Sequence, residues 1–259
     1  MSSLQLPGRH ELGQNLLTDR RIIRTVVSLA EQTDGPIVEW AAGHGALTLP
    51  LAELGRPLEA VELHPAMAAR LRRTVGPHVC ITEGDILRHA PPRTPHTLVS
   101  NVPFHITTPV LRRLLSMPEW ETAILITQWE VARKRAGVGG ATQLTAQWWP
   151  WYDFILRQRI ASTAFSPRPS VDAGLLVIRR RSSPLLHGGR HAYQRWVRRV
   201  FTGRGRGLAD ILTRSGIPAD AAHRWCAEQH LTSRSLPKDL DAEQWAAAFR
   251  LARPADPLK

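Results

Sequence analysis

The sequence predicts an α/β fold: a mostly parallel sheet with an antiparallel edge, followed by a small helical domain. Three observations carry this. Short apolar runs bounded by turn residues alternate with stretches of helical periodicity over the first 130 or so residues. Between residues 152 and 180 two apolar runs succeed one another with no evident helix between them, the pattern of an antiparallel pair. Beyond Arg181 strand-type runs cease and only helical spacing remains. The expected domains are 1–182 and 183–259.

The elements follow in order. Residues 19–32 place Ile22, Ile23, Val26 and Ala30 on one helical face. Residues 36–41 (PIVEWA) read as a short buried strand, followed by a glycine-bearing turn and a helix that begins near Ala46 and runs through Leu54. Residues 58–63 (LEAVEL) form the second strand, and Pro65 suits the first turn of the helix after it. Further strands are expected at 78–82, 96–101 and 121–127, then at 152–160 and 172–180. Residues 182–189 (SSPLLHGG) read as a linker, and the remaining segments are helical.

Composition narrows the function classes. At 259 residues the chain can bury a substantial core. Its formal net charge is +12, and only Lys134, Lys238 and Lys259 are lysines. A GC-rich coding bias would explain arginine over lysine but not the excess over acids, so a polyanionic partner such as nucleic acid is expected. Cys80 and Cys226 stand far apart with no CxxC or CxxH companion, which argues against a zinc site and a disulfide framework. The first residues show no apolar signal-peptide core, and no window approaches a membrane span, so a cytoplasmic, membrane-free setting is expected.

The chemistry-bearing residues cluster where strands end, which is where open α/β sheets bind ligands. After the first strand come Glu39, Trp40, Ala41, Ala42, Gly43, His44 and Gly45, whose glycines permit close backbone approach to a cofactor. Gly pairs after strands also occur in turns with no ligand. The second strand ends at Glu62, a carboxylate placed to accept from ribose hydroxyls, or else a solvated acid at a helix start. The third leads into Gly84, Asp85 and Ile86, where Asp85 could accept from an adenine amino group. The fourth ends in Asn101-Val102-Pro103-Phe104. There the Asn101 side-chain oxygen and the Val102 carbonyl form an acceptor pair for an exocyclic amine. Pro103 stiffens the turn, and Phe104 offers a face for an extruded base. An Asx turn capped by a core phenylalanine would read the same way in isolation.

These residues, with GQNLL (13–17), EWAAGHGALT (39–48), VELHP (61–65), GDIL (84–87), NVPFHITTPVL (101–111), ITQWEVARK (126–134), FSPRPSVDAGLLVIRRR (165–181) and LDAEQWAAAF (240–249), resemble the rRNA adenine N6-methyltransferases. Within that family they look most like the Erm-type enzymes, which modify 23S rRNA and confer macrolide–lincosamide–streptogramin B resistance. Relatives that dimethylate 16S rRNA usually read Leu-Pro-Tyr after the asparagine. Here Val-Pro-Phe, the tryptophan-rich QWWPWYDF (147–154) and the tail are of the Erm kind.

The resemblance implies a Rossmann-like methyltransferase sheet that uses S-adenosylmethionine (SAM), with no metal, acting on an unstacked adenine in 23S rRNA; a monomer is expected. It implies that Gln14, Asn15 and Leu16 lie across the cofactor and that Glu39, Gly43 and Gly45 line its methionine pocket. Glu62 would bind the ribose, while Asp85 and the Ile86 backbone would read the adenine ring. Asn101 would hold the target amine, Val102 would assist it, Phe104 would stack on the base, and Phe165 would close the base's other face or simply anchor its loop. Arg20, Arg21 and Arg24, Arg133 and Arg135, Arg179 to Arg181, and Arg198, Arg199, Arg204 and Arg206 would meet phosphates. The family usually carries glycine where this chain has Ala41; a methyl there is expected to be accommodated if φ stays negative, and Trp40 is expected in the core. A 16S rRNA dimethyltransferase and a catalytically silent RNA-binding factor on the same scaffold are the alternatives.

Overall fold

The computed structural model describes residues 15–252; Gln14 lies outside them, as do the first residues read above for a signal segment. A short strand, β1 (Leu16–Leu17), leads into α1 (Arg20–Glu31). Asp19 starts this helix by accepting from the Arg21 and Ile22 N–H groups at 2.7 and 3.3 Å, a cap worth about 1 kcal/mol. Val26, Leu29 and Ala30 are its buried face. The alternation continues through β2 (Ile37–Trp40), α2 (Thr48–Ala52), β3 (Leu58–Glu62), α3 (Pro65–Arg72), β4 (Val79–Glu83) and β5 (His96–Asn101). It goes on through α4 (Thr107–Ser116), β6 (Trp120–Gln128), α5 (Trp129–Arg135), α6 (Gln143–Trp148), β7 (Tyr152–Ile160), β8 (Phe165–Ser166) and β9 (Ala173–Arg180). Four helices follow: α7 (Arg190–Thr202), α8 (Leu208–Arg214), α9 (Ala219–Glu228) and α10 (Ala242–Leu251).

Seven strands form one sheet in the order β4-β3-β2-β5-β6-β9-β7. The pairs β4–β3, β3–β2, β2–β5 and β5–β6 are parallel, and β9 runs antiparallel to β6, with Leu125 opposite Leu176. The expected mostly parallel sheet with an antiparallel edge is therefore present. Every residue of β2 is buried, as a central strand covered on both faces requires. The order reverses beside β2: β3 and β4 extend to one side, β5 and β6 to the other. The crevice outside the carboxyl ends of β2 and β5 is thus the topological switch point, where such sheets bind ligands.

Two local features of the elements depart from the sequence reading. The helix after β2 starts at Thr48 rather than near Ala46, because the chain first closes tight turns through Gly45 N–H to Ala42 O and Leu49 N–H to Gly45 O. A two-stranded ribbon, β1 with β8, was not foreseen; it pairs Leu16 with Ser166 and Leu17 with Phe165.

The chain divides into two compact units. Among the described residues, one holds 15–132 and 155–179 and contains the Rossmann-like core; the other holds 133–154 and 180–252. The second unit therefore takes in more than the tail expected from residue 183. The reason lies in its bonds. The Trp149 and Trp151 carbonyls accept from the Arg181 side chain and backbone at 3.0 and 2.9 Å, and Tyr193 donates to the Ala146 carbonyl at 2.8 Å. Its core is aromatic: Trp196 meets Trp245 edge-on at 5.7 Å, and Phe201 stacks on Trp245 at 5.4 Å. Among the described residues, no helix is long and apolar enough to cross a membrane.

Candidate active site

A small cleft opens at the switch point, lined by Asn15, Leu16, Ala41, Gly43, Asn101, Val102, Pro103 and Phe104. Three segments distant in sequence meet there: the strap through β1, the turn after β2, and the tip after β5. Six of the predicted residues, Asn15, Leu16, Gly43, Asn101, Val102 and Phe104, line this single space. Ala41 and Pro103 complete it.

The strand ends are pinned to one another. Ser100 Oγ donates to the Trp40 carbonyl at 2.8 Å, Val102 N–H to Ile126 O at 2.9 Å, and Ala42 N–H to Val61 O at 3.1 Å. Asn101 Nδ2 donates to the Asn15 carbonyl at 2.8 Å, which fixes the plane of the Asn101 amide. Its Oδ1 accepts nothing from the other described residues and remains a directed acceptor. Val102 is buried, held by its backbone bond, and Pro103 adopts φ −56°. The Phe104 ring, half-buried, meets Phe165 edge-on, with centroids 6.4 Å apart and planes at 70°. Phe165 is itself only 4% exposed and sits in the hydrophobic core. It props Phe104 and presents almost no face of its own.

Glu62 is also buried, 2% exposed, and holds the glycine turn. One carboxylate oxygen accepts from Gly43 N–H at 2.7 Å and the other from His64 N–H at 2.9 Å. A carboxylate has about four acceptor positions, so each oxygen keeps capacity for one more donor. Gly43 and Gly45 have φ of 58° and 87°, and a side chain at Gly45 would strike Leu71 at 2.6 Å. Ala41 overturns one expectation: its φ is +60°, not negative. An alanine in the left-handed region costs about 1–2 kcal/mol. The turn is shaped by the surrounding bonds, and Ala41 is held in a conformation that suits glycine.

Glu39 lies in the buried floor of the turn, 2% exposed, and its Oε2 has no hydrogen-bond partner among the described residues. Burial pushes its carboxyl up to about 8; the Thr48 hydroxyl opposes this and the nearby Glu62 charge reinforces it. Asp85 is half-buried and uses Oδ1 to accept from Leu87 N–H at 2.8 Å, with Ile86 buried between them. Glu39, Gly45, Glu62, Asp85, Ile86 and Phe165 thus do not line the cleft wall; Glu62 reaches it through Gly43 and Phe165 through Phe104.

Trp40 is fully buried, as expected, but it carries a relay the sequence did not announce. Its indole N–H donates to His89 Nδ1 at 3.2 Å, and His89 Nε2 donates to Glu59 Oε1 at 2.9 Å. This ordering fixes the Nε2–H tautomer. The Thr82 hydroxyl and His89 together hold the Glu59 carboxyl below the usual range, the His89 bond contributing most. Forty-nine residues separate Trp40 from His89, with no spacing signal to reveal the pair.

The chain matches the family model described as ribosomal RNA adenine dimethylase over residues 6–253. It is 48% identical over 257 residues to the mycinamicin-resistance protein MyrB of Micromonospora griseorubida, covering 97% of this chain and 82% of that one. It is 47% identical over 231 residues to an rRNA adenine N-6-methyltransferase of Corynebacterium diphtheriae, covering 88% and 91%. The crystal structure of the 23S rRNA methyltransferase ErmE superposes with a TM-score of 0.85 at 31% identity, over 92% of this chain and 99% of that one. With fold, strand-end motifs and relatives in agreement along nearly its whole length, the chain belongs to the ribosomal RNA adenine dimethylase family and, within it, to the Erm-type rRNA adenine N6-methyltransferases.

Proposed function

We propose that this chain methylates N6 of a specific adenine in 23S rRNA, with SAM as donor, and thereby protects ribosomes from macrolide, lincosamide and streptogramin B antibiotics. The observation that carries the reading is the Asn101 tip. One N–H of its amide bonds the Asn15 carbonyl, its oxygen accepts from no other described residue, and the side chain lines a cleft bounded by a tight glycine turn.

The residues present suit the cofactor. The turn at Ala41–Gly45 brings backbone close to the cleft, and the unpartnered Glu39 oxygen beside it is a polar atom in want of a donor. Asn15, Leu16, Glu39, Gly43 and Gly45 would hold the methionine part, Glu62 the ribose, and Asp85 with the Ile86 backbone the adenine ring. When bound, SAM supplies a methyl group on a positively charged sulfur. The protein's own work is positional. The N6 amine of adenine is a weak nucleophile because its lone pair is delocalised into the ring. Asn101 Oδ1 and the Val102 carbonyl accept its two N–H bonds and favour a tetrahedral nitrogen, and Phe104 stacks on the everted base. Fixing the amine in line contributes most of the rate.

The chain is proposed to act as a monomer, with arginines of both units meeting phosphates. The test is methylation of purified 23S rRNA with labelled SAM, followed by nucleoside mass spectrometry and primer extension. An N6-methylated adenine with a stop in 23S rRNA is expected. A stop confined to 16S rRNA would place the chain in ribosome assembly, and absence of SAM binding by calorimetry would leave a non-catalytic RNA-binding role.

A further inference from the structure

A second concavity lies on the sheet-bearing unit, away from the cleft. It is an open, shallow depression lined by residues of α1, by Gln32 at its end and by Arg157 and Gln158 of β7. Its charge has one sign. Arg21, Arg24 and Arg157 line it, with Ser28, Gln32 and Gln158 as neutral polar neighbours, and no described carboxylate among the lining residues. The three arginines are exposed, and none forms an ion pair among the described residues. Arg159, two residues on, is by contrast spent: it pairs with Asp172 at 2.9 Å and lies over the Trp129 ring.

The placement of Arg21 and Arg24 sets two cations one turn apart on the groove side of α1. Arg21 lies in the first turn of α1, where the helix dipole disfavours a cation, and the Asp19 carboxylate that caps this end is engaged with the Arg21 and Ile22 backbone N–H groups. Arg24 follows one turn on, on the same side of the helix. Proximity fits as well: Leu16, which lines the cleft, precedes Arg21 by five residues, at most about 18 Å of chain. From Arg21 to Gln32 the helical rise is about 16 Å, room for a short run of nucleotides.

We propose that this groove holds the sugar–phosphate backbone of the rRNA strand flanking the target adenine; the inference rests on the rRNA reading above. The planar guanidinium forks match phosphate oxygens, while Ser28, Gln32 and Gln158 suit remaining phosphate oxygens and ribose hydroxyls. Such contacts carry no sequence information. They fix register, so that the adenine to be everted arrives at Asn101.

The test compares the wild type with a variant carrying Arg21→Glu, Arg24→Glu and Arg157→Glu, and with a milder one carrying glutamine at the same positions. A control carries Arg70→Glu, Arg73→Glu and Arg93→Glu, which are exposed on the same unit but outside the groove. Filter binding of a 23S rRNA transcript is measured across a salt series, alongside methylation kinetics and SAM calorimetry. For the groove glutamates, RNA affinity is expected to fall about tenfold or more, and the log–log salt slope to lose about two units, three contacts at ~0.7 each. KM for RNA rises, kcat at saturating RNA is little changed, and SAM affinity stays at the wild-type value. The glutamine variant shows the same trend at smaller size and guards against misfolding of the charge reversal. Equal losses in the control, or unchanged RNA affinity and slope in both groove variants, would overturn the proposal. A wild type that binds the transcript but methylates no rRNA would remove the functional reading instead, and the binding series would still report on the groove.

Discussion

Glu62 and Gly43 are joined by a 2.7 Å hydrogen bond from the glycine N–H to a carboxylate that is 2% exposed, nineteen residues further along the chain. The same carboxylate accepts from His64 N–H. The acid expected to touch the cofactor is thus also the peg that holds the turn. Glu62→Gln keeps the shape but sets an amide donor against one of these two N–H groups. It should cost about 1–3 kcal/mol, the usual penalty for an orphaned buried donor, and weaken SAM binding by tenfold or more. Chemical denaturation and calorimetry read the two effects; a variant as stable and as tight as wild type would remove the peg.

Asn101→Ala is expected to abolish methyl transfer while leaving RNA affinity close to wild type. It removes both the acceptor offered to the amine and the bond to the Asn15 carbonyl. Single-turnover assays with saturating RNA provide the measurement, and retained turnover would refute the assigned role.

Ala41 holds φ at +60°. Ala41→Gly should relieve the left-handed strain and stabilise the fold by about 1 kcal/mol, offset in part by the greater freedom of glycine in the unfolded chain. The melting temperature is then expected to rise by about 2–4 °C. A fall in melting temperature would show that the methyl packs productively.

Glu39 titrates at about 8 because burial disfavours its charge. The folded chain keeps this proton over a range in which the unfolded chain has released it, so the stability associated with Glu39 is greatest below about 4.5 and declines as pH rises toward about 8. Glu39→Gln should flatten this decline. Denaturant midpoints of both proteins between pH 5 and 8 decide it: parallel slopes would mean that Glu39 is ionised throughout.

Much of the site was legible because parallel strands announce themselves and their ends. The runs ending in Trp40, Glu62 and Asn101 are short and bounded by turn residues, and polar groups at or next to their ends (Glu39, Glu62, Asn101) mark where the chain turns toward the cleft. The ribbon of Leu16 and Leu17 against Ser166 and Phe165 was illegible, since two-residue strands carry no periodicity and their partners lie far apart in sequence. The backbone of Ala41 was misread because alanine gives no sign of positive φ. The membership of 133–154 in the second unit was hidden for a related reason. The tryptophan-rich stretch gave no sign of which unit it joins; that emerges only when Arg181 is seen to bond the Trp149 and Trp151 carbonyls and Tyr193 that of Ala146.

The bond between Asn101 Nδ2 and the Asn15 carbonyl also bears on how nucleobases are told apart. A free asparagine amide is two-faced and greets keto and amino groups alike. With one N–H of that amide bonded to the strap, the amide plane is fixed and its oxygen is presented in a set direction. On the proposed role of Asn101, guanine O6 or uracil O4 would meet that oxygen lone pair against lone pair, whereas the amino edge of adenine would fit, and a backbone carbonyl 86 residues upstream would set up the choice before any RNA arrives.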